Sequence, residues 1–179
     1  MKKNIRLLWL LAIASSAIFA SCKKDKTDEE QLPPITQTGA NTFGCLINGK
    51  LYTPKGSEQN TPNFRIIIDP GFQGNLDIRT YKIENGIKSS FGFNSFNINV
   101  ADIYNLDTAQ TFPFYRQDIN SAVCYFTSSN NNYHKGILKI TRYDLTNRII
   151  SGEFNFKLYD SSISCDTIRI TQGRFDKQF

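Results

Sequence analysis

Hydrophobic and polar residues alternate along much of the chain after residue 42, as they do in β-strands that bury one face. The longest regular example covers residues 148–159. Its apolar positions are Ile150, Phe154, Phe156 and Leu158, with Gly152 in the same register. Its polar positions are Ser151, Glu153, Asn155 and Lys157. One packed face and one wet face are typical of an antiparallel sheet, so the pattern predicts an all-β domain.

Turn signals divide this alternating region into short strands. Asn48-Gly49 separates residues 43–47 from residues 50–53 and predicts a hairpin, because both turn residues must adopt positive φ. Asp69-Pro70-Gly71 ends the next strand, residues 64–68. Further strands are predicted at residues 75–84, 89–100, 103–106, 111–115, 122–127, 136–143, 148–159 and 167–171. We expect an antiparallel meander of about eight to ten strands, forming a two-sheet sandwich or a closed barrel.

Some strands depart from regular alternation. The apolar positions within residues 75–84 slip by one, which indicates a β-bulge. Pro113 cannot donate a ladder hydrogen bond, which places its strand at a sheet edge. Gly173 is predicted to bulge the last strand so that Phe175 points inward. Arg174 and Asp176 would then form an exposed ion pair.

The first 21 residues have the layout of a secretory signal peptide. Met1 to Arg6 carries three cations and no acid, and an apolar run follows from residue 7 to residue 20. That run is shorter than the roughly 20 residues that a membrane-spanning helix needs. Phe19-Ala20-Ser21-Cys22 resembles the bacterial lipoprotein box, in which the cysteine is acylated and becomes the N-terminus. Lipidation of Cys22 would anchor the protein to a membrane; the alternative is ordinary cleavage that leaves a free thiol.

Residues 22–41 are predicted to be the lipidated cysteine and a disordered tether, because their charges, Pro33, Pro34 and Gly39 offer little apolar area to bury. A lysine followed by the acids of residues 28–30 resembles the export signal of Bacteroidota lipoproteins displayed on the cell surface. The alternative is a solvated spacer. The remaining residues, 42–179, are long enough for one β-domain.

The charge balance argues against a nucleic-acid partner. The chain has 21 Lys and Arg against 16 Asp and Glu. Removing Lys2, Lys3 and Arg6 with the leader leaves 18 against 16, and the rest of the chain has no basic cluster. We expect a monomer whose partners are the membrane, through lipid on Cys22, and a glycan or an envelope protein.

The cysteines and the histidine do not indicate a metal site or a cofactor. Cys45, Cys124 and Cys165 remain after Cys22, and their spacing fits no zinc motif. If the first strand pairs with the last, Cys45 and Cys165 could form a disulfide; both thiols could equally be buried and unpaired. His134 is the only imidazole and is predicted to lie exposed in a loop.

The sequence also lacks the common signatures of enzymes. Without a second histidine, a catalytic triad would depend on His134 alone, and no nucleophile elbow, phosphate-binding glycine loop or zinc-protease motif is present. Hydrolysis by a pair of carboxylates, as in glycosidases, is a further alternative, because the sequence does not give the distances between Asp and Glu side chains. Five tyrosines could include a sugar-stacking platform, although core packing accounts for them as well. These are Tyr81, Tyr104, Tyr115, Tyr125 and Tyr133.

Four blocks of sequence resemble an uncharacterised family of Bacteroidota lipoproteins. They are residues 39–50 around the Asn48-Gly49 turn, residues 136–144, residues 150–156, and the closing Gly173-Arg174-Phe175-Asp176. The resemblance implies a small β-domain on a lipid anchor and implies no activity. We therefore expect a non-enzymatic outer-membrane lipoprotein, on the cell surface or facing the periplasm, that acts as an interaction or ligand-binding module. The alternative is an accessory carbohydrate-binding lipoprotein of a polysaccharide-uptake system.

Overall fold

A computed structural model describes residues 31–179 except residues 108, 120–121, 127–131 and 161–166. For residues 118–119, 122–126, 132–133 and 160 it describes the backbone alone. The described residues form eleven β-strands, one more than the upper end of the expected range. They are β1 (Thr42–Ile47), β2 (Lys50–Tyr52), β3 (Phe64–Asp69), β4 (Asn75–Glu84), β5 (Ile87–Ser95), β6 (Ile103–Asn105), β7 (Thr111–Ile119), β8 (Ala122–Phe126), β9 (Asn132–Asp144), β10 (Ile149–Asp160) and β11 (Ile168–Gln178).

The strands form two antiparallel sheets that pack as a sandwich, and the expectation of an all-β antiparallel fold is confirmed. The larger sheet has six strands in the order β2-β1-β11-β10-β9-β6. The smaller sheet has five, in the order β3-β4-β5-β7-β8. The barrel alternative is excluded because each sheet keeps two edge strands. No helix that could cross a membrane occurs in the part of the chain that the structure describes.

An aromatic core joins the two sheets. Phe154 of β10 lies 5.7 Å, centroid to centroid, from both Phe91 and Phe93 of the smaller sheet. Its ring also lies 5.5 Å from that of Phe43 on β1. Phe156, two residues along the same face of β10, lies 5.0 Å from Phe93. These rings are at most 3% exposed, so they supply much of the apolar burial that holds the sandwich together.

The predicted first turn and the predicted bulge in the last strand are both present. Asn48 and Gly49 have φ values of 49° and 79°, as a two-residue hairpin turn requires, and Ile47 pairs with Lys50 across it. β11 has a bulge in which Gln172 adopts a φ of 53°. Gly173 follows it because a side chain there would collide with the Phe154 ring. Phe175 returns inward, 2% exposed, as expected.

The bulge predicted in β4 is wrong. β4 pairs in unbroken register with both β3 and β5. The slip in apolar alternation arises because Tyr81 lies on the outer face of the smaller sheet and is buried there by the β2–β3 loop. Its hydroxyl accepts from the Glu58 amide at 2.9 Å and donates to the Thr61 carbonyl at 2.8 Å. A loop that folds over a strand therefore mimics the sequence pattern of a bulge.

Pro113 lies in a strand that is central over part of its length. β7 has β5 on one side and β8 on the other, but β8 pairs only with residues from Tyr115 onward. Pro113 pairs with Phe93 of β5 and has no partner in β8. The strand as a whole is not the edge that the sequence predicts. Among the described residues, however, the proline is paired on one side only, which suits its missing N–H.

Residues 31–41, predicted to be part of a disordered tether, lie against the larger sheet, which corrects that expectation for this segment. The Pro33 ring packs where a side chain at Gly44 would collide with it. Arg142 donates to the Gln37 carbonyl, and Arg174 donates to the Pro33 carbonyl at 3.4 Å. Such a polar segment can be ordered because the sheet supplies partners for its backbone.

Phe154→Ala is expected to lower the free energy of unfolding by about 3 to 5 kcal/mol, because it removes a ring packed against both sheets and leaves a cavity. Chemical denaturation monitored by circular dichroism measures the loss. Ile67→Ala is the matched control, because Ile67 is 41% exposed and its truncation should cost less than about 1 kcal/mol. Equal losses in both variants would contradict this account of the core.

Candidate ligand-binding groove

A groove of about 810 Å³ lies over β6, β9, β10 and β11 of the larger sheet. Most of its lining residues have exposed side chains on the outer face of that sheet. They are Ile103, Asn105, Lys135, Ile137, Asn155, Lys157, Arg169, Thr171 and Gln172. Tyr104, Gly136, Phe156 and Ile170 complete the lining. The site therefore combines polar side chains with a partly apolar surface.

Strand register brings these residues together from distant parts of the sequence. Ile137 of β9 pairs with Asn105 of β6 on one side and with Asn155 of β10 on the other. Lys157 of β10 pairs with Lys135 of β9 and with Arg169 of β11. The groove thus contains a row of amides around an isoleucine and, next to it, a row of three cations.

The bulge in β11 shapes one side of the groove. In a regular strand, successive side chains point to opposite faces. Thr171 and the bulged Gln172 are consecutive, yet both are exposed and both line the groove. The bulge therefore adds a second polar side chain to the face where a regular strand would present one.

Two isoleucines give the groove an apolar surface. Ile103 is 64% exposed and Ile137 is 46% exposed, and both also line an adjoining cavity of about 330 Å³. That cavity includes Lys139 and Glu153, which form an ion pair at 3.6 Å. Exposed aliphatic side chains grouped in a concave site are a common feature of ligand-binding surfaces.

The described residues that line the groove include no carboxylate, histidine or cysteine. The arrangement can hold a ligand through hydrogen bonds, cations and apolar contacts.

A second surface feature lies on the smaller sheet. Phe96 contacts Phe72 and Phe112 with ring centroids 5.9 and 6.1 Å apart. Phe72 is 57% exposed and Phe112 is 43% exposed. Asn94 pairs directly with Phe112 across the strands, so an amide lies beside this aromatic cluster of Phe72, Phe96 and Phe112.

Asp176 and residues 36–40 form a clasp that holds the N-terminal segment on the larger sheet. Its carboxylate is 1% exposed. The amides of Thr38, Gly39 and Ala40 donate to it at 2.9, 2.8 and 3.1 Å. The hydroxyls of Thr36 and Ser151 donate at 2.7 Å each. Asp176 is therefore not the exposed partner of Arg174 that the sequence predicts.

These bonds set the charge state of Asp176. Burial on its own raises the pKa of a carboxyl group, but the hydrogen bonds from Thr36, Ala40, Ser151 and Thr38 outweigh it and hold the pKa of Asp176 well below its usual range. The carboxylate is ionised at neutral pH, and the neutral N–H and O–H donors around it stabilise its charge.

The cysteines named in the sequence analysis are only partly within the described structure. Cys45 lies on β1 with no exposed surface and forms no disulfide with a described residue, and burial raises the pKa of its thiol. Cys22 and Cys165 lie outside the described residues, and the side chain of Cys124 does as well. Lipidation of Cys22 and pairing of Cys45 with Cys165 stay predictions.

His134 is in a strand, which corrects the loop placement. It lies in β9, pairs with Leu158 and is half-buried. No group of three or more His, Cys, Asp or Glu residues that could hold a metal ion occurs within the described part of the chain.

The described tyrosines do not form a shared surface platform. Tyr81 and Tyr115 are each 6% exposed, and burial raises the pKa of Tyr115 to about 12. Tyr104 is half-buried and donates to the Val100 carbonyl at 2.8 Å. The side chains of Tyr125 and Tyr133 lie outside the described residues. The exposed aromatic cluster is made of phenylalanines instead.

Comparison of the chain with protein-family models, with curated proteins and with solved structures finds no match. The resemblance to Bacteroidota lipoproteins stays an expectation.

Asp176→Asn is expected to cost about 2 to 4 kcal/mol of unfolding free energy, because it replaces a charged acceptor of several buried bonds by an amide that itself donates. Denaturation measures the loss, and hydrogen exchange should become faster at the amides of residues 38–40. Asp102→Asn is the control, since the exposed Asp102 side chain has one hydrogen bond among the described residues, from the adjacent Ile103 amide. Unchanged exchange at residues 38–40 would argue against the clasp.

The lowered pKa of Asp176 predicts that the unfolding free energy depends on pH. Because the folded-state pKa of Asp176 is lowered, its stabilisation is complete above the unfolded value of about 3.9 and is lost as pH falls below it. The unfolding free energy of the unmodified protein should fall more steeply below about pH 4 than that of Asp176→Asn. Parallel curves would show that another group governs acid unfolding.

Proposed function

We propose that this protein is a non-enzymatic lipoprotein of the outer membrane whose β-domain binds a ligand in the groove over β6, β9, β10 and β11. The observation that carries the proposal is the groove itself, with its exposed isoleucines, amides and cations on one sheet face. Its volume of about 810 Å³ lies within the range of roughly 300 to 1,000 Å³ that is usual for ligand sites.

The lining supports binding without catalysis. Asn105, Asn155 and Gln172 offer amide donors and acceptors, and Thr171 offers a hydroxyl. Ile103 and Ile137 offer apolar surface to the same ligand. These groups suit recognition of a polar molecule, and the described lining contains no carboxylate or imidazole.

The proposal also includes anchorage through Cys22. The described part of the chain begins at residue 31, so eight residues, 23–30, separate it from the proposed lipid on Cys22. Even fully extended, the nine steps from residue 22 to residue 31 would reach only about 30 Å. A ligand in the groove would therefore be captured close to the membrane that carries the protein.

Filling the groove should abolish binding while the fold is preserved. Asn155→Trp places a large side chain on β10 at the centre of the groove, and an exposed strand position tolerates an aromatic residue. The full chain, purified in neutral detergent, is applied to arrays of glycans and peptides. We expect the ligands that the unmodified protein retains to be lost in this variant, by at least tenfold in affinity.

Ile87→Trp is the matched control for that experiment. Ile87 is 39% exposed at the start of β5, in the other sheet, so this variant should bind as the unmodified protein does. Ligands retained equally by Asn155→Trp would show that binding takes place elsewhere.

Cys22→Ala is expected to move the protein from the membrane fraction to the soluble fraction, because it removes the only residue of the lipoprotein box that can be acylated. Immunoblotting after cell fractionation measures the change, with Cys45→Ala as a control that keeps the anchor. Proteinase added to intact cells then separates surface display from a periplasmic location. Continued membrane attachment of Cys22→Ala would disprove this mode of anchoring.

The aromatic cluster supports a second candidate function, that of an accessory carbohydrate-binding protein in polysaccharide uptake. Exposed aromatic rings beside an amide, as at Phe112 and Asn94, are suited to stack on sugar rings and bond their hydroxyls. Glycan binding that is lost in Phe112→Ala and kept in Asn155→Trp would favour this candidate over the groove.

A further inference from the structure

Three cations lie side by side across the groove. Lys135, Lys157 and Arg169 belong to three adjacent strands, and Lys157 in the centre pairs directly with each of the other two. All three side chains are exposed on the outer face of the larger sheet. Neighbouring strands are about 4.8 Å apart, so the backbone positions of the three cations span roughly 10 Å.

Such a row is unfavourable for the folded protein alone. Like charges directly opposite each other on adjacent strands destabilise a sheet. Elsewhere in the described structure, cations on the outer faces of the sheets have a carboxylate partner. Lys139 forms an ion pair at 3.6 Å with Glu153, which lies directly opposite it, four residues along the same two strands. Arg79, which lies opposite Arg65, bonds Asp77 at 3.0 Å.

The groove contains no such compensation. None of the described residues that line it is Asp or Glu. Among the described residues, no ion pair joins a carboxylate to Lys135, Lys157 or Arg169. An anionic ligand would supply the missing counter-charge, and its binding would relieve the repulsion within the row.

The other lining residues indicate which class of anionic ligand the groove would bind. Asn105, Asn155, Thr171 and Gln172 place three amides and a hydroxyl beside the cations, which suits a ligand rich in hydroxyl groups. Ile103 and Ile137 provide apolar surface for the C–H faces of a sugar ring. An acidic peptide would need fewer of these side-chain amides, because its main chain forms most of its own bonds by pairing with a sheet edge.

We propose that the groove binds an acidic polysaccharide, whose successive carboxylated sugars lie along the row Lys135, Lys157 and Arg169. This inference rests on the proposed function of the groove and names its ligand class. The cations neutralise the carboxylates, and the amides bond the hydroxyls. The affinity should fall as salt rises, because the charges involved are exposed to solvent.

The test compares one polymer with and without its charge. Polygalacturonic acid and its fully methyl-esterified form share a backbone and differ in the carboxylates. Affinity electrophoresis or calorimetry of the full chain in neutral detergent should show binding to the acid form and at least tenfold weaker binding to the ester. Lys157→Gln should weaken binding to the acid form roughly fivefold and reduce its salt dependence.

Arg65→Gln is the matched control. It removes one exposed cation from the outer face of the smaller sheet, so the net charge changes equally while the groove is untouched. Binding that falls equally in Arg65→Gln and Lys157→Gln would reflect overall charge and overturn the inference. Tighter binding to poly-glutamate than to polygalacturonate would show that the groove prefers acidic peptides, and this result would also overturn the inference.

Two failures can be told apart in the same experiment. If the acid and ester forms bind equally, and Asn155→Trp abolishes both, the groove is a ligand site but not one for acidic sugars. If every ligand identified on the arrays still binds to the Asn155→Trp variant, the proposed function of the groove is wrong, and the inference is wrong with it. Loss of binding to the acid form in both Asn155→Trp and Lys157→Gln supports the two together.

Discussion

The packing of phenylalanine rings between the two sheets is the interaction on which the rest of this structure depends. Phe154 contacts rings from β1, β5 and β11, so one side chain ties the centre of the larger sheet to the smaller one. This burial fixes which face of β10 is inside. It therefore also fixes which face is outside, and the groove lies on that outer face.

The groove and the clasp at Asp176 lie on the same outer face of the larger sheet. Near Asp176 the outer face of the larger sheet is covered by residues 36–40, whose amides and hydroxyls bond the carboxylate. Near Lys157 the same face is open, and its three exposed cations have no ion pair with a described carboxylate. Opposite charges on the two parts explain the difference, because a carboxylate attracts backbone N–H groups while a row of cations attracts an anion from outside.

Local sequence signals predicted the strands well and the irregular regions less well. Asn48-Gly49 defined its hairpin because the turn chemistry requires positive φ at both residues. Gly173 marked a real bulge, but the slip in β4 did not, because the β2–β3 loop buries Tyr81 from outside. A polar segment such as residues 36–40 gave no sign of order, since its partner Asp176 lies about 140 residues further along the chain.

The sequence by itself determined the all-β class, the first turn and the inward face of β10, because alternation and turn residues act over a few neighbouring positions. It did not reveal the groove. Lys135, Lys157 and Arg169 look like ordinary solvent-facing residues in their own strands, and only the pairing of β9, β10 and β11 places them in one row. The tertiary structure decided the sandwich, the clasp and the candidate site, since each depends on contacts between residues far apart in sequence.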